Sequence, residues 1–339
     1  MKVLVIKTSS LGDIVHALPA ITEASQNISG LKFDWVVEEA FQSIPGLHPA
    51  VANVIPVAIR RWRNHPREAV VEIPLFIKRL RQRNYDMVID SQGLIKSGLL
   101  SLIAKGKSVG FDISSIREKI ATYFYRTSYK VKKRRHAIFR QKDLFAKALN
   151  YEGGSEVDYG LKTSRERSNR IIFFHGTSSS EKEWPEKFWR QLVSLASLNG
   201  WNVVIPEGSL EEKKRAHRIS GKTGCVIKKS SLEALMNEFA SCSAAISVDT
   251  GLGHLATAFS ISTVGIFGFT DPALTGLISP SQGDGQSVNL RCSCAKCIYQ
   301  QKSNVDDVVL PCYEEITPEK VWAALEQIRR EPIKSDRLS

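Results

Sequence analysis

The sequence predicts an α/β protein made of two Rossmann-like domains in tandem, with a cleft between them. Three observations lead there. Short runs of β-branched and aliphatic residues alternate with longer amphipathic stretches, the pattern of a parallel sheet covered by helices on both faces. The alternation breaks once, at the polar, glycine-rich segment Tyr151-Glu152-Gly153-Gly154-Ser155, and then starts again. With 339 residues, 42% hydrophobic and 24% charged, the chain is long enough for two domains that each hold a core. The expected boundaries are 1–155, 156–316 and a closing helix over 317–331.

The elements follow in order. Lys2-Val3-Leu4-Val5-Ile6 is a short buried strand, and the polar turn Thr8-Ser9-Ser10 leads into a helical pattern that opens at Leu11 and runs over 13–26. Phe33 to Val37 predicts a second strand and Val54 to Ala58 a third. A basic amphipathic helix from about Ile73 to Arg83 precedes the strand Met87 to Asp90. The helix Leu94 to Ala104, the strand Ser108 to Phe111 and a helix over Ala137 to Leu149 complete the first half.

After the break come the strand Ile171 to Phe174, a helix from Pro185 to Leu198, the strand Asn202 to Ile205 and a helix from Leu210 to Ser220. A helix over Leu232 to Ala240 precedes the strand Ala244 to Val248, and a helix beginning after Gly253 precedes the strand Thr263 to Phe267. Thr317-Pro318 caps the last helix, with proline in its first turn. Residues 270–315 lack periodicity and read as a long loop region.

The net charge of +12 asks for an acidic partner: nucleic acid, an anionic membrane surface or a phosphorylated substrate. The excess gathers in Arg60-Arg61-Trp62-Arg63, in Lys78-Arg79-Leu80-Arg81-Gln82-Arg83 and in Lys130 to His136. The second run is expected to be a solvated helix face, the third a linker or a membrane-facing loop. No helix-turn-helix, aromatic RNA-binding sheet or zinc-finger spacing is present, so no nucleic-acid partner is expected. No stretch approaches the roughly 18 apolar residues of a membrane span. The first apolar run ends after residue 6 with no small-residue cleavage site, and a cytoplasmic location is expected.

Asp13 is the most informative residue. It enters the first helical turn at the carboxyl edge of the predicted sheet, where α/β folds place ligands. It either acts on something bound there or complements the helix dipole. In the second half, Asp249-Thr250-Gly251-Leu252-Gly253-His254 joins a strand to a helix. Its glycines allow close backbone approach, and the new helix points N–H groups at an anion. Asp249 is suited to a ribose hydroxyl or to capping, and His254 to a phosphate or to the core. The turn His175 to Pro185 offers hydroxyls and Lys182, groups that hold a diphosphate, or else a polar loop capping the next helix. Cys292, Cys294, Cys297 and Cys312 cluster without a standard zinc spacing; loop thiols are the first expectation and a structural zinc site the second. Cys225 and Cys242 read as small core residues.

Several segments together resemble the ADP-heptose:lipopolysaccharide heptosyltransferases, glycosyltransferase family 9, along nearly the whole chain. They are Lys7-Thr8-Ser9-Ser10-Leu11-Gly12-Asp13, Phe33 to Glu39, Val54 to Arg63, Ile89 to Ser97, Lys182-Glu183-Trp184-Pro185 and Val248 to Leu255. The Arg60 to Arg63 segment is more similar to members that add the first heptose than to their paralogues. The resemblance implies a GT-B fold, with an N-terminal acceptor domain, a C-terminal ADP-heptose domain and the last helix packed back on the first domain. It implies Asp13 as general base. It assigns Thr177, Ser178, Lys182, Thr250, Gly251 and His254 to the donor diphosphate, Glu212 to the adenosine ribose and Asp249 to the heptose. Arg60, Arg61, Arg63 and Arg117 would meet an anionic acceptor, Kdo-lipid A at the cytoplasmic face of the inner membrane. Three departures stand out: Thr177-Ser178 where the family has paired threonines, Ser230 where it has a methionine near the adenine, and the cysteine cluster.

Transfer from a sugar diphosphate needs a base for the acceptor hydroxyl and cations or dipoles for the departing ADP. Closing the expected cleft would bring Asp13 and Lys182 together and exclude water. No acidic pair of the usual metal motif is evident, so metal-independent transfer without a cofactor is expected. Two other readings remain: a paralogous transferase for another core sugar, and a non-catalytic nucleotide-binding protein docking on anionic surfaces. The second would have no need of Asp13.

Overall fold

The computed structural model describes residues 1–161, 168–228, 230–268, 270–293, 313 and 315–330. The chain divides into two compact units, Met1–Leu161 and Lys162–Ser339, where a boundary after residue 155 was expected.

The first unit runs β1 (Lys2–Ile6), α1 (Leu11–Asn27), β2 (Lys32–Glu38), β3 (Val51–Val57), α2 (Ile59–Asn64), α3 (Pro66–Leu80), β4 (Asn84–Asp90), α4 (Ile95–Ile103), β5 (Lys105–Phe111), β6 (Thr127–Tyr129) and α5 (Ala137–Leu149). Its strands form one six-stranded sheet in the order β3-β2-β1-β4-β5-β6, with every pairing parallel. β1 is buried on both faces from Val3 to Ile6, as the centre of a doubly covered parallel sheet must be. α3 and α4 share one core, where Phe76, Leu80 and Leu100 meet Leu4, Ile6 and Val88. α1 packs against α5.

The second unit runs β7 (Ser168–Phe174), α6 (Glu186–Leu198), β8 (Asn202–Pro206), α7 (Leu210–Ser220), β9 (Cys225–Ile227), α8 (Leu232–Ala240), β10 (Cys242–Val248), α9 (Gly251–Ala258), β11 (Ser262–Phe267), α10 (Pro272–Thr275), β12 (Ser287–Arg291) and α11 (Pro318–Arg330). The sheet order is β12-β11-β10-β7-β8-β9, again wholly parallel, so the second unit repeats the strand order of the first. In each unit the first and fourth strands are central neighbours and the connections leave them in opposite directions. That is the doubly wound arrangement whose crevice at the carboxyl ends receives ligands.

Several elements differ from the sequence expectation. The basic helix starts at Pro66, not Ile73, and continues through Pro74; α2 precedes it as a separate helix. β12 lies inside the expected long loop, at the sheet edge beside β11. Cys242 is buried as expected, but Cys225 is exposed on the edge strand β9. The last helix places Val321, Trp322, Leu325 and Ile328 in the core of the second unit, with Trp189, Leu192 and Ile266. Those four residues recur at helical spacing, and they fill the hydrophobic face that α6 and β11 present.

Candidate functional site

In the first unit the loops after β1 and β4 meet at the carboxyl edge of the sheet. Gln92 ties them together: its Oε1 accepts from the amides of Thr8 at 3.1 Å and Ser9 at 3.2 Å. Asp90, at the end of β4, accepts from Tyr125 Oη at 2.6 Å, Ser97 Oγ at 2.8 Å and the amides of Gln92 and Gly93, which fixes the second loop. Gly93 has φ +72°, a conformation that glycine adopts without Cβ strain. Asp13 sits at the third position of α1, where its Oδ2 accepts from the amide and hydroxyl of Ser10, both at 3.0 Å. Two bonds donated by the N-cap residue set the carboxylate's direction.

Asp13 lines a cavity of about 130 Å³ with Lys7, Ser91, Gln92, Phe111, Arg117, Ala137, Arg140 and Gln141. Lys7 Nζ lies 3.8 Å from Asp13 Oδ1 and donates to the Ser91 carbonyl at 3.1 Å. Arg140 stacks over Phe111, 5.3 Å from the ring centre, and donates to the Ser115 carbonyl at 2.8 Å. Ser91 Oγ, Arg140 Nε and Gln141 Oε1 are buried without a protein partner. Buried polar atoms are costly to leave unpaired, so this wall is built to receive a polar ligand.

Charge sets the protonation state of Asp13. Burial works to raise its carboxyl, but the Lys7 ammonium, the two Ser10 bonds and Arg117 together hold it below the usual carboxylate range. It is therefore an ionised acceptor at neutral pH. Burial pulls Lys7 below the usual lysine value, Asp13 and Asp90 oppose that, and Arg140 and Arg117 add to it. Three cations around one carboxylate leave a cavity suited to an anionic molecule that presents a hydroxyl to Asp13.

In the second unit the turns after β7 and β10 are likewise neighbours. Lys182 Nζ pairs with Asp249 Oδ2 at 2.6 Å, and Thr177 Oγ1 donates to the Asp249 carbonyl at 3.4 Å. Thr250 stands at the N-cap position of α9 without a side-chain capping bond, and the helix opens at Gly251, so its first free N–H groups point out from the carboxyl edge. His254 is buried one turn into that helix. Glu212 is fixed at the start of α7, where its Oε2 accepts from the Ser209 amide at 2.6 Å. Its carboxylate lies so close to Gly176 and Gly208 that a Cβ at either position would meet it. Burial pushes His175 down to about 4, so it is a neutral ring here, with Nδ1 unpartnered. A cation after the first strand, a carboxylate after the second and a helix terminus after the fourth form the outline of a nucleotide diphosphate site.

Comparison with known proteins decides the class. The description "Glycosyltransferase family 9 (heptosyltransferase)" matches residues 74–306. Lipopolysaccharide heptosyltransferase 1 of Pseudomonas aeruginosa is 41% identical over 98% of this chain and 99% of its own. The chain belongs to glycosyltransferase family 9. The protein of the same name from Escherichia coli K12 is 41% identical over 81% of this chain and 90% of its own. The structure of E. coli heptosyltransferase WaaC with ADP superposes with a TM-score of 0.84 at 36% identity, covering 97% of this chain and all of that one. The chain is thus a heptosyltransferase-family glycosyltransferase of GT-B architecture, built from two parallel-sheet α/β units.

Within this glycosyltransferase, the structure brings Asp13 and Arg117 to one cavity and Lys182, Asp249, Thr177, Thr250 and Gly251 to one edge. Ser178 is exposed beside Thr177. Arg60, Arg61 and Arg63 lie on α2 and do not line the Asp13 cavity. Arg60 stacks over Phe41, and Arg63 is exposed. Arg61, expected to meet the acceptor, is engaged within the protein. All of its donors are taken: Nε by Glu39, Nη1 by Glu68 and Glu72, and Nη2 by Glu39 and Glu72, at 2.7 to 3.2 Å. It also lines a separate cavity of about 250 Å³ beside Trp62 and Phe76.

Lys7, Ser91, Gln92, Arg140 and Gln141 were not singled out from sequence. Lys7, Ser91 and Gln92 stand in motifs that already marked both loops. Arg140 and Gln141 come from α5, in a helix pattern that carried no chemical signal. Cys294, Cys297 and Cys312 lie outside the described residues; Cys292 is buried in the core of the second unit.

Proposed function

We propose that this glycosyltransferase moves L-glycero-D-manno-heptose from ADP-heptose to a hydroxyl of Kdo on Kdo-lipid A, inverting the sugar in one displacement. Asp13 takes the proton of the attacking hydroxyl, which forms its bond to the heptose anomeric carbon as the bond to ADP breaks. The observation that carries this reading is the ionised Asp13 carboxylate, fixed by Ser10 and Lys7 on the wall of a cavity with two arginines. A base held ionised beside an anion-binding wall suits an acceptor sugar that bears a carboxylate. Arg117 and Arg140 receive that group, and Arg60 and Arg63 the phosphates of the lipid.

Lys182 and the N-terminus of α9 at Thr250-Gly251 stabilise the negative charge of the leaving diphosphate, with Thr177, Ser178 and His254 beside it. Glu212 takes the adenosine ribose, and Asp249 orients both Lys182 and the heptose. The donor is supported by solved relatives: one E. coli WaaC structure holds ADP, and another, at 36% identity, holds ADP-2-deoxy-2-fluoro heptose. The charge-neutralising part is given to side chains and a helix terminus, so no metal is required. The protein works as a peripheral enzyme on the anionic inner leaflet.

Incubation with ADP-heptose and Kdo-lipid A, in the presence of a chelator, should give a product heavier by one heptose residue. NMR of that product should show the anomeric configuration opposite to the donor's. An unchanged acceptor mass overturns the assignment, and transfer only to a heptosylated acceptor would move the enzyme to a paralogous step.

A further inference from the structure

Helix α3 turns Ala69, Phe76 and Leu80 inward. At 100° per residue its opposite side carries Arg67, Val70, Val71, Pro74, Leu75 and Lys78. Val70, Val71 and Leu75 are 75%, 64% and 61% exposed. α4 covers the same face of the sheet, because Leu100 lies in the core that Phe76 and Leu80 enter. Its outer side exposes Leu99 and Leu102, and the turn packed against it exposes Ile120 and Tyr123. Single exposed aliphatics are ordinary on a protein surface, but a contiguous set rimmed by charge marks an interaction site.

The rim is one-sided in charge. Arg63, Arg67, Lys78, Arg79 and Arg81 are exposed and form no ion pair among the described residues. The two acids of α3, Glu68 and Glu72, turn to the flank that meets α2, where they and Glu39 share the Arg61 guanidinium. The face that remains is aliphatic at its centre and cationic at both ends of the helix. Aliphatic side chains between lipid headgroups and guanidinium groups on their phosphates are the contacts of an interfacial helix. No helix among the described residues is long and apolar enough to cross a membrane, and α3 at about 22 Å would lie in the interfacial plane.

We propose that the outer face of α3 docks this protein on an anionic phospholipid bilayer. The proposal rests on the lipid-acceptor reading for its purpose, but its physical content stands on the exposed face itself. Docking by this face delivers the unit that carries Asp13 to an acceptor anchored in the same leaflet.

Flotation of the full chain with vesicles, in the absence of both substrates, tests it. With equal parts phosphatidylethanolamine and phosphatidylglycerol the protein should float, and added salt should release it; with phosphatidylcholine alone it should stay down. Each cation at an anionic surface is worth roughly fivefold in partitioning, so Arg67→Gln with Lys78→Gln should cost about twenty-five-fold. Val71→Ser with Leu75→Ser should also abolish flotation. These side chains face solvent, so circular dichroism, ADP binding and turnover on a soluble O-deacylated acceptor should match the parent. A parent that stays down with anionic vesicles, equal binding to phosphatidylcholine, or either variant floating like the parent overturns the proposal. Heptose transfer to the soluble acceptor by a protein that does not float would remove the docking face alone. Flotation without any transfer would remove the proposed activity and leave the docking face standing.

Discussion

The Lys7 ammonium lies 3.8 Å from the Asp13 carboxylate, and both line the same small cavity. Lys7 is the last residue before the turn that leads to Asp13, so β1 and the first turn of α1 build a charge pair from one short segment. Gln92 then clamps that turn to the loop after β4, which delivers the rest of the wall. The pair does two things. It holds the carboxylate ionised, and it fixes an uncommon buried lysine on the wall of the cavity.

Asp13→Asn should reduce turnover by about a hundredfold or more, the usual scale for losing a general base. The amide keeps the shape and still accepts from Ser10, so α1 and the donor site should be undisturbed. Calorimetric ADP binding equal to the parent, alongside the lost turnover, is the expected result. Near-parental turnover would remove Asp13 from the chemistry.

The pH profile of turnover follows from the same pair. Because the Asp13 carboxyl is held below its ordinary value of 3.8, the base stays ionised through the weakly acidic range and the rate should be flat there. A depressed carboxyl also contributes stability that is present above the ordinary carboxylate pKa and lost as pH falls through the folded value. Lys7 is the largest of the influences that lower it, and burial opposes them. Lys7→Met should therefore move the acidic limb of the rate profile to higher pH and weaken the stability gain over the carboxylate range. An acidic limb that does not move would show that Ser10 and Arg117 suffice to hold Asp13 ionised.

The alternation that predicted two parallel-sheet units is the same signal that places Asp13, Ser91, Thr177 and Asp249 at the carboxyl edges. Central strands such as Val3 to Ile6 are wholly buried and read clearly as apolar runs. Helices 137–149, 210–220 and 232–240 have the predicted bounds, because capping residues and a single apolar face mark both ends. Of the edge strands, β3 was legible and β6, β9 and β12 were not. β6 and β9 are three residues each, and β12 alternates polar and apolar side chains at half burial. The start of α3 was hidden by its prolines: Pro66 occupies a first-turn position that tolerates the missing N–H, and Pro74 lies within the helix.

The site was legible where chemistry and strand end coincide, and not where it is assembled from distant parts. Gln141 reaches the Ser91 carbonyl from 50 residues away, from a helix whose sequence reads only as amphipathic. The surroundings of Arg61 were not legible for the converse reason. A run of cations is visible in sequence, but the three glutamates that surround Arg61 come from the turn after β2 and from α3, and only folding brings them there.

Lys182→Ala should weaken ADP binding roughly ten- to a hundredfold, the worth of a charge-assisted hydrogen bond. Turnover should fall with it, since the departing diphosphate loses its cation. Asp249 would also lose its partner at 2.6 Å and be left as a carboxylate next to the phosphates, which adds to the loss. Equal calorimetric affinity for ADP in mutant and parent would assign the diphosphate contact to α9 alone.

The basic segment on α2 separates into two roles that measurement can tell apart. Arg61 spends every donor on Glu39, Glu68 and Glu72, and Glu72 is held down to about 2 chiefly by that contact and by the Trp62 indole N–H. Arg61→Ala leaves three like charges together, with none of their shared cation, where α2 meets α3. It should lower the thermal midpoint and leave ADP binding unchanged. Arg63 is exposed and outside any ion pair among the described residues, so Arg63→Ala should keep the thermal midpoint. It should raise the Michaelis constant for the anionic lipid acceptor, about tenfold at low salt, by loss of one charged hydrogen bond. That difference should shrink as salt screens the parent's contact. Melting curves and acceptor titrations on the two variants give four results. A normal melt with a raised acceptor constant in Arg61→Ala would show that the guanidinium leaves its glutamates for the acceptor and would restore Arg61 to the binding surface.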